Sequence, residues 1–189
     1  MKRIYLLAGP NGAGKTTASQ SLLPELLDCQ EFVNADEIAK ALSPYKPESV
    51  ALEAGRIMLS RLNHLMAAGE TFAFETTLAT KSYKNLLLRA KGKGYETYLI
   101  FIYLNSPSLA LKRVQTRVIE GGHNIPEEII FRRYSNGLKN FFHIYMDNVD
   151  EWIFVDNSNN DAKIIAEGNS FENNILDLNT WTLNSKNNL

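Results

Sequence analysis

Gly9-Pro10-Asn11-Gly12-Ala13-Gly14-Lys15-Thr16 follows the apolar run Ile4-Tyr5-Leu6-Leu7-Ala8 and leads into a stretch with helical character. This is G-x-x-x-x-G-K-T in the strand–turn–helix context that a phosphate-binding loop requires. The glycines let the backbone wrap tightly, so that successive N–H groups and the following helix N-terminus face a polyphosphate. Lys15 has the reach for the β- and γ-phosphates, and the Thr16 hydroxyl can ligate Mg²⁺. The pattern therefore predicts a nucleoside triphosphate cradled by Gly9, Asn11, Gly12, Ala13, Gly14, Lys15, Thr16 and Thr17. No Asn-Lys-x-Asp stretch for reading guanine occurs, which makes ATP the expected nucleotide.

With 189 residues the chain has room for one domain with a sizeable core. A formal net charge of −1 offers no general attraction to nucleic acid or to an anionic membrane, and no apolar run approaches transmembrane length. Met1 to Ala8 is basic and then apolar, but cleavage there would destroy the loop, so it is not read as a signal peptide. Cys29 is the single cysteine, which leaves no intrachain disulfide and no cysteine metal cluster, and three scattered histidines lack metal-ligand spacing. A cytoplasmic location is expected, with no nucleic-acid or membrane partner.

Outward from the loop, strands and helices alternate. Strands are expected at Arg3 to Leu7, Glu31 to Val33, Thr71 to Phe74, Tyr98 to Leu104 and Trp152 to Val155. Helices are expected from Lys15 to Leu23, where Pro24 should stop the first, then from Glu37 behind Asp36 as N-cap, and from Glu48 to Ala68. The last of these should bury Ala54, Ile57, Met58, Arg61, Leu62 and Leu65 along one side. Further helices follow at Ser82 to Ala90, after Ser106-Pro107, and from Pro126 to about Tyr145. Alternation of this kind reads as an α/β fold with a five-stranded parallel sheet flanked by helices. Lys163 to Glu167 is expected to be a short helix. The domain is placed at 1–167, with a polar, asparagine-rich extension at 168–189.

Ligands gather at the carboxyl ends of parallel strands. Asp36, Glu75 and Asp156 end the second, third and fifth strands there. Asp36 is the candidate for accepting the proton of an acceptor hydroxyl; Glu75 is assigned to the magnesium water shell or the acceptor, with Thr76 and Thr77 as hydrogen-bond donors. Asp156 imitates a magnesium-holding Walker-B aspartate, but Asn157 follows it instead of a water-activating glutamate, so it reads as a surface turn near the adenine. Arg113 and Arg117 share a helix face, and Arg132 and Arg133 lie beyond Gly121-Gly122-His123-Asn124-Ile125-Pro126. Two arginine-lined helices joined by a glycine turn, about residues 110–135, look like a lid over phosphates. The sequence does not choose between Arg132 and Arg133. Two functions compete: transfer of phosphate to a small-molecule hydroxyl, and ATP hydrolysis that switches a protein partner.

These stretches resemble the zeta-toxin family of phosphate-loop kinases. The resemblance rests on Gly9 to Thr17, Val33-Asn34-Ala35-Asp36, Phe74-Glu75-Thr76-Thr77-Leu78, Arg113 to Val118, Gly121 to Pro126 and Arg132-Arg133-Tyr134, and it covers about Lys2 to Asn157. It implies a fold of nucleotide- or shikimate-kinase type with a helical lid. It also implies use of ATP and Mg²⁺ to phosphorylate the 3′-hydroxyl of the amino sugar in a UDP-N-acetylated sugar, and a small antitoxin protein as partner. In the roles so implied, Lys15 holds the phosphates, Thr16 the metal, and Asp36 is the base. Glu75 helps order the acceptor site, and Arg117 with Arg132 or Arg133 stabilises the transferred group. Arg113 and Asn157 are expected on the nucleotide. The chain has less material between strands three and four than a sugar-nucleotide pocket calls for, and an antibiotic or nucleoside acceptor would use the same residues.

Overall fold

The computed structural model describes residues 1–25, 28–122, 124–159 and 161–188. Its centre is a sheet of seven strands in the order β2-β3-β1-β4-β5-β6-β7. The first five are the expected parallel strands: β1 (Lys2–Ala8), β2 (Glu31–Val33), β3 (Phe72–Thr76), β4 (Tyr95–Tyr103) and β5 (Glu151–Asp156). Two antiparallel strands, β6 (Lys163–Asn169) and β7 (Asn173–Ile175), extend that sheet. β1 is the buried spine, since Ile4 to Ala8 are all withdrawn from water, as a strand covered on both faces must be.

The helices are α1 (Lys15–Glu25), α2 (Ala35–Leu42), α3 (Ala51–Ala68), α4 (Tyr83–Gly92), α5 (Pro107–Ile119), α6 (Glu127–Asn140) and α7 (Leu178–Asn188). α1 continues one residue past Pro24. α3 buries Ala54, Met58, Leu62, Leu65 and Met66, while Ile57 and Arg61 turn outward; the buried stripe is narrower than the sequence pattern suggests. α5 starts as expected at Ser106, whose hydroxyl accepts the Leu109 N–H at 3.2 Å. One turn of π-helix, Phe141–Tyr145, follows α6 and drives Phe141, Phe142 and Tyr145 into the main core.

Lys163 to Glu167 is a strand, not a helix. Five residues are too few to establish a helical period, and paired β-branched isoleucines favour a strand. A register shift opposite Phe154 and Val155 lets adjacent Ile165 and Ala166 both be buried, which hides the alternation a strand normally shows. Beyond it, Trp181 of α7 lies flat on Trp152, with centroids 5.4 Å apart. Among the described residues no helix is long and apolar enough to cross a membrane.

Candidate active site at the phosphate loop

The register of the sheet assembles the site. Leu7 and Ala8 of β1 stand beside Glu75 and Thr76 of β3, so the loop after β1 and the acidic end of β3 are neighbours. Gly9, Gly12 and Gly14 all take positive φ, which turns the loop back on itself toward α1. At Gly12 a Cβ would come within 2.9 Å of the Ala110 carbonyl oxygen and 3.0 Å of the Arg113 Cβ, so α5 lies directly against the loop. Ala13 and Asn11 are buried, and the Asn157 amide donates to the Ala13 carbonyl at 2.9 Å.

Lys15, 5% exposed, donates to the Pro10 carbonyl at 2.9 Å and stands 3.5 Å from Glu75 Oε1. Burial holds its pKa below the usual lysine value, partly opposed by the attraction of Glu75 and Asp36. Glu75 Oε2 accepts from the Thr16 hydroxyl at 2.8 Å and from the Asn34 amide at 2.9 Å. An acid on the strand next to the loop strand therefore holds the threonine proton and leaves the hydroxyl lone pairs for a cation. Asp156 has a different neighbourhood: its strand is two removed from β1, and its carboxylate accepts from both the Ser158 N–H and the Ser158 hydroxyl.

Asp36 is not the cap of α2. Asn34 is, with its Oδ1 accepting the Asp36 N–H at 2.8 Å. Asp36 thus sits in the first turn of the helix with its carboxylate free of the capping bond, at the positive end of the helix dipole. Three cavities share it. One of ≈ 180 Å³ is lined by the phosphate loop with Thr16, Thr17, Glu75, Arg113 and Arg117. A second of ≈ 140 Å³ lies between Asn34, Thr77, Thr80, Tyr83 and Arg133. The third, ≈ 440 Å³, lies between α2, Tyr45 and the α5–α6 turn.

The arginines separate. Arg117 lines the loop cavity, and its buried Nε and Nη2 have no hydrogen-bond partner among the described residues. Buried guanidinium donors left unpaired in the cavity of the glycine loop have the chemistry to take an anion. Arg133 reaches Asn11 Oδ1 by a long contact of 3.5 Å and lines the second cavity. Arg132 is exposed. Arg113 lines the loop cavity while donating to the Ser158 carbonyl at 3.1 Å. His123 lies outside the described residues; His64 and His143 are exposed. Sequence reasoning missed Thr80 and Tyr83 on the second cavity, because nothing in a helix start marks it as facing a site. It also passed over the cap at Asn34, although asparagine before a helix is itself the signal.

The family model described as Zeta toxin matches residues 1–170. A Haemophilus influenzae protein described as "Uncharacterized protein" is 31% identical over 126 residues, which are 67% of this chain and 88% of that one. Among solved structures, a chain of the AvrRxo1-ORF1:AvrRxo1-ORF2 complex with sulphate ions superposes at a TM-score of 0.80 and 14% identity. It covers 98% of this chain, which spans 64% of the matched chain's length. A chain from the PezAT toxin–antitoxin system of Streptococcus pneumoniae follows at 0.64 and 19% identity, covering 88% of this chain and 72% of its own. A gluconokinase from Sinorhizobium meliloti gives 0.55 at 15% identity, covering 84% and 83%. At these identities the structures speak for the fold, that of phosphate-loop kinases, and the family model speaks for descent: the chain belongs to the zeta-toxin family.

Proposed function

We propose that the chain transfers the γ-phosphoryl group of ATP to a hydroxyl of a small molecule. The observation that carries this reading is the Asp36 carboxylate, which borders both the loop cavity and the two cavities beside it. A hydroxyl seated there would have its proton beside a carboxylate and its oxygen turned toward the phosphate held by the loop. Lys15 and the unpaired Arg117 would face the charge that builds on the transferred oxygens, and Arg133 would approach from the acceptor side.

Magnesium fits the residues present. Among the described residues no group of three or more His, Cys, Asp or Glu forms a metal cage. Magnesium is instead held in such sites by one or two protein oxygens, waters and the phosphates themselves. Thr16 would supply the protein oxygen, with Glu75 holding the hydroxyl proton away from the cation. When bound, the ion would neutralise phosphate charge.

A UDP-N-acetylated amino sugar is the first acceptor to try, on the strength of the family. PezAT is a toxin–antitoxin system, and a solved AvrRxo1-ORF1:-ORF2 complex contains ATP. Those relationships support ATP as donor and a small inhibitory protein as partner here.

Transfer of labelled γ-phosphate would be followed from ATP to UDP-N-acetylglucosamine, free sugars, nucleosides and aminoglycosides, with released phosphate measured in the same tubes. The expected result is one labelled acceptor, with transfer falling at least about 10²-fold in Asp36→Asn. Phosphate release with no labelled acceptor, unchanged in that variant, would move the function to an ATP-driven switch.

A further inference from the structure

Asn34 touches both acidic arms of the site. Its Oδ1 accepts the Asp36 N–H at 2.8 Å, and its Nδ2 donates to Glu75 Oε2 at 2.9 Å. The residue is buried, and the same glutamate oxygen takes the Thr16 hydroxyl at 2.8 Å. We propose that Asn34 is the positioning residue of the transfer site, fixing Asp36 through its backbone and Glu75 through its carboxylate with one amide group. The inference rests on the phosphotransfer reading above, and its test separates the two.

An amide is the side chain that satisfies both contacts. Its oxygen meets an N–H and its nitrogen meets a carboxylate; turned over, both contacts become repulsive. Aspartate at this position would keep the helix cap and set a second negative charge against Glu75. Serine would keep the cap and fall short of Glu75. With the amide present, Glu75 Oε2 holds two donors and Oε1 remains for Lys15 at 3.5 Å. The spacing between Asp36 and the Thr16–Glu75 pair is thereby set by one side chain bonded to both arms.

The test compares Asn34→Asp and Asn34→Ser with wild type in the full chain, by thermal midpoint, by kcat and KM for ATP, and by Mg²⁺-dependent binding of a fluorescent ATP analogue. Both variants keep the cap. Asn34→Ser should melt about 3–6 °C lower from the loss of one charge-assisted hydrogen bond, and Asn34→Asp lower still, since it sets a charge against Glu75. In Asn34→Ser kcat should fall about 10-fold or more, with KM for ATP changed far less. In Asn34→Asp the loss of kcat should be larger, because a negative charge replaces the amide donor beside Glu75.

Equal turnover in all three proteins overturns the proposal. So does a fall in kcat and in ATP binding together, in proportion to a lowered thermal midpoint in both variants, which would make Asn34 a cap alone. If wild type labels no acceptor, the phosphotransfer reading fails, and Asn34 is then judged on nucleotide binding. Weaker Mg²⁺ dependence in both variants supports it, and unchanged Mg²⁺ dependence overturns it.

Discussion

Gly137 of α6 lies so close to the loop after β3 that a Cβ on it would fall 2.3 Å from the Thr77 carbonyl oxygen. One turn later the Asn140 amide donates to the Leu78 carbonyl at 2.8 Å, and the Tyr145 hydroxyl donates to that of Thr80 at 2.6 Å. Tyr134 is tied in turn to the Leu104 carbonyl at 2.6 Å. The second arginine-bearing helix is therefore fastened to the wall of the ≈ 140 Å³ cavity, and the position of Arg133 depends on that fastening. Gly137→Ala should cost about 1–3 kcal/mol in denaturant unfolding, because backbone must move to admit one methyl group. A variant as stable as wild type would show that α6 is loosely seated.

Arg132 and Arg133 are adjacent on one helix, so they point about 100° apart and only one can face the site. Arg133 lines the second cavity, and Arg132 is exposed. Arg133→Ala is expected to lower kcat by about 10²-fold, as for removal of one donor to a developing oxyanion. Arg132→Ala should stay within about two-fold of wild type, since exposed substitutions away from a site do little. Steady-state kinetics on the two variants decide it, and the reverse order would place the wrong arginine at the phosphate.

Lys15 links nucleotide binding to pH. Burial lowers its pKa from 10.5 in the free protein, while bound phosphate oxygens favour the charged form and raise it again. Between the lowered value and the higher value in the complex, ATP binding should take up a proton, so affinity should decline as pH rises through that window. For folding the sign is opposite to that of a stabilised lysine. The buried charge weakens the free protein below the lowered pKa, and the unfolded chain binds more protons above it, so stability rises toward 10.5. Titration calorimetry in two alkaline buffers of different ionisation enthalpy should reveal the uptake. Binding heats independent of the buffer would refute it.

The fold was legible where the chemistry is local. A glycine loop after an apolar strand and acids at strand ends declare themselves, and five strands between turn residues leave one sheet type. The site was less legible where geometry depends on packing. Asn34 and Asp36 are both good caps two residues apart, and only the Glu75 contact shows why the first is used. Neighbouring arginines cannot be ranked until Gly137 and Asn140 fix the rotation of α6. β6 was hidden by its bulge, and α7 by its composition: its sequence LNTWTLNSKNN is mostly polar, and it enters the core through Trp181.

That tryptophan gives the last prediction. Trp181 is 9% exposed, stacks on Trp152 at 5.4 Å and meets Phe142 and Phe154 edge-on at 5.2 and 5.9 Å. Phe154 stacks in turn on Phe101 of β4, so the C-terminal helix is coupled to the middle of the sheet through a chain of rings. Removing a buried indole costs about 3 kcal/mol or more, because the aromatic neighbours can collapse into the space only in part. For a chain of this length that corresponds to a thermal midpoint lowered by about 6–12 °C. Trp181→Ala should show this loss with kcat at 25 °C nearly unchanged, since Trp181, Trp152, Phe142 and Phe154 line none of the three cavities around Asp36. Trp181→Phe should recover much of it. A loss below about 1 kcal/mol would instead make 168–189 a polar extension that the domain does without, because a helix whose main buried side chain can be deleted cheaply contributes little to closing the core.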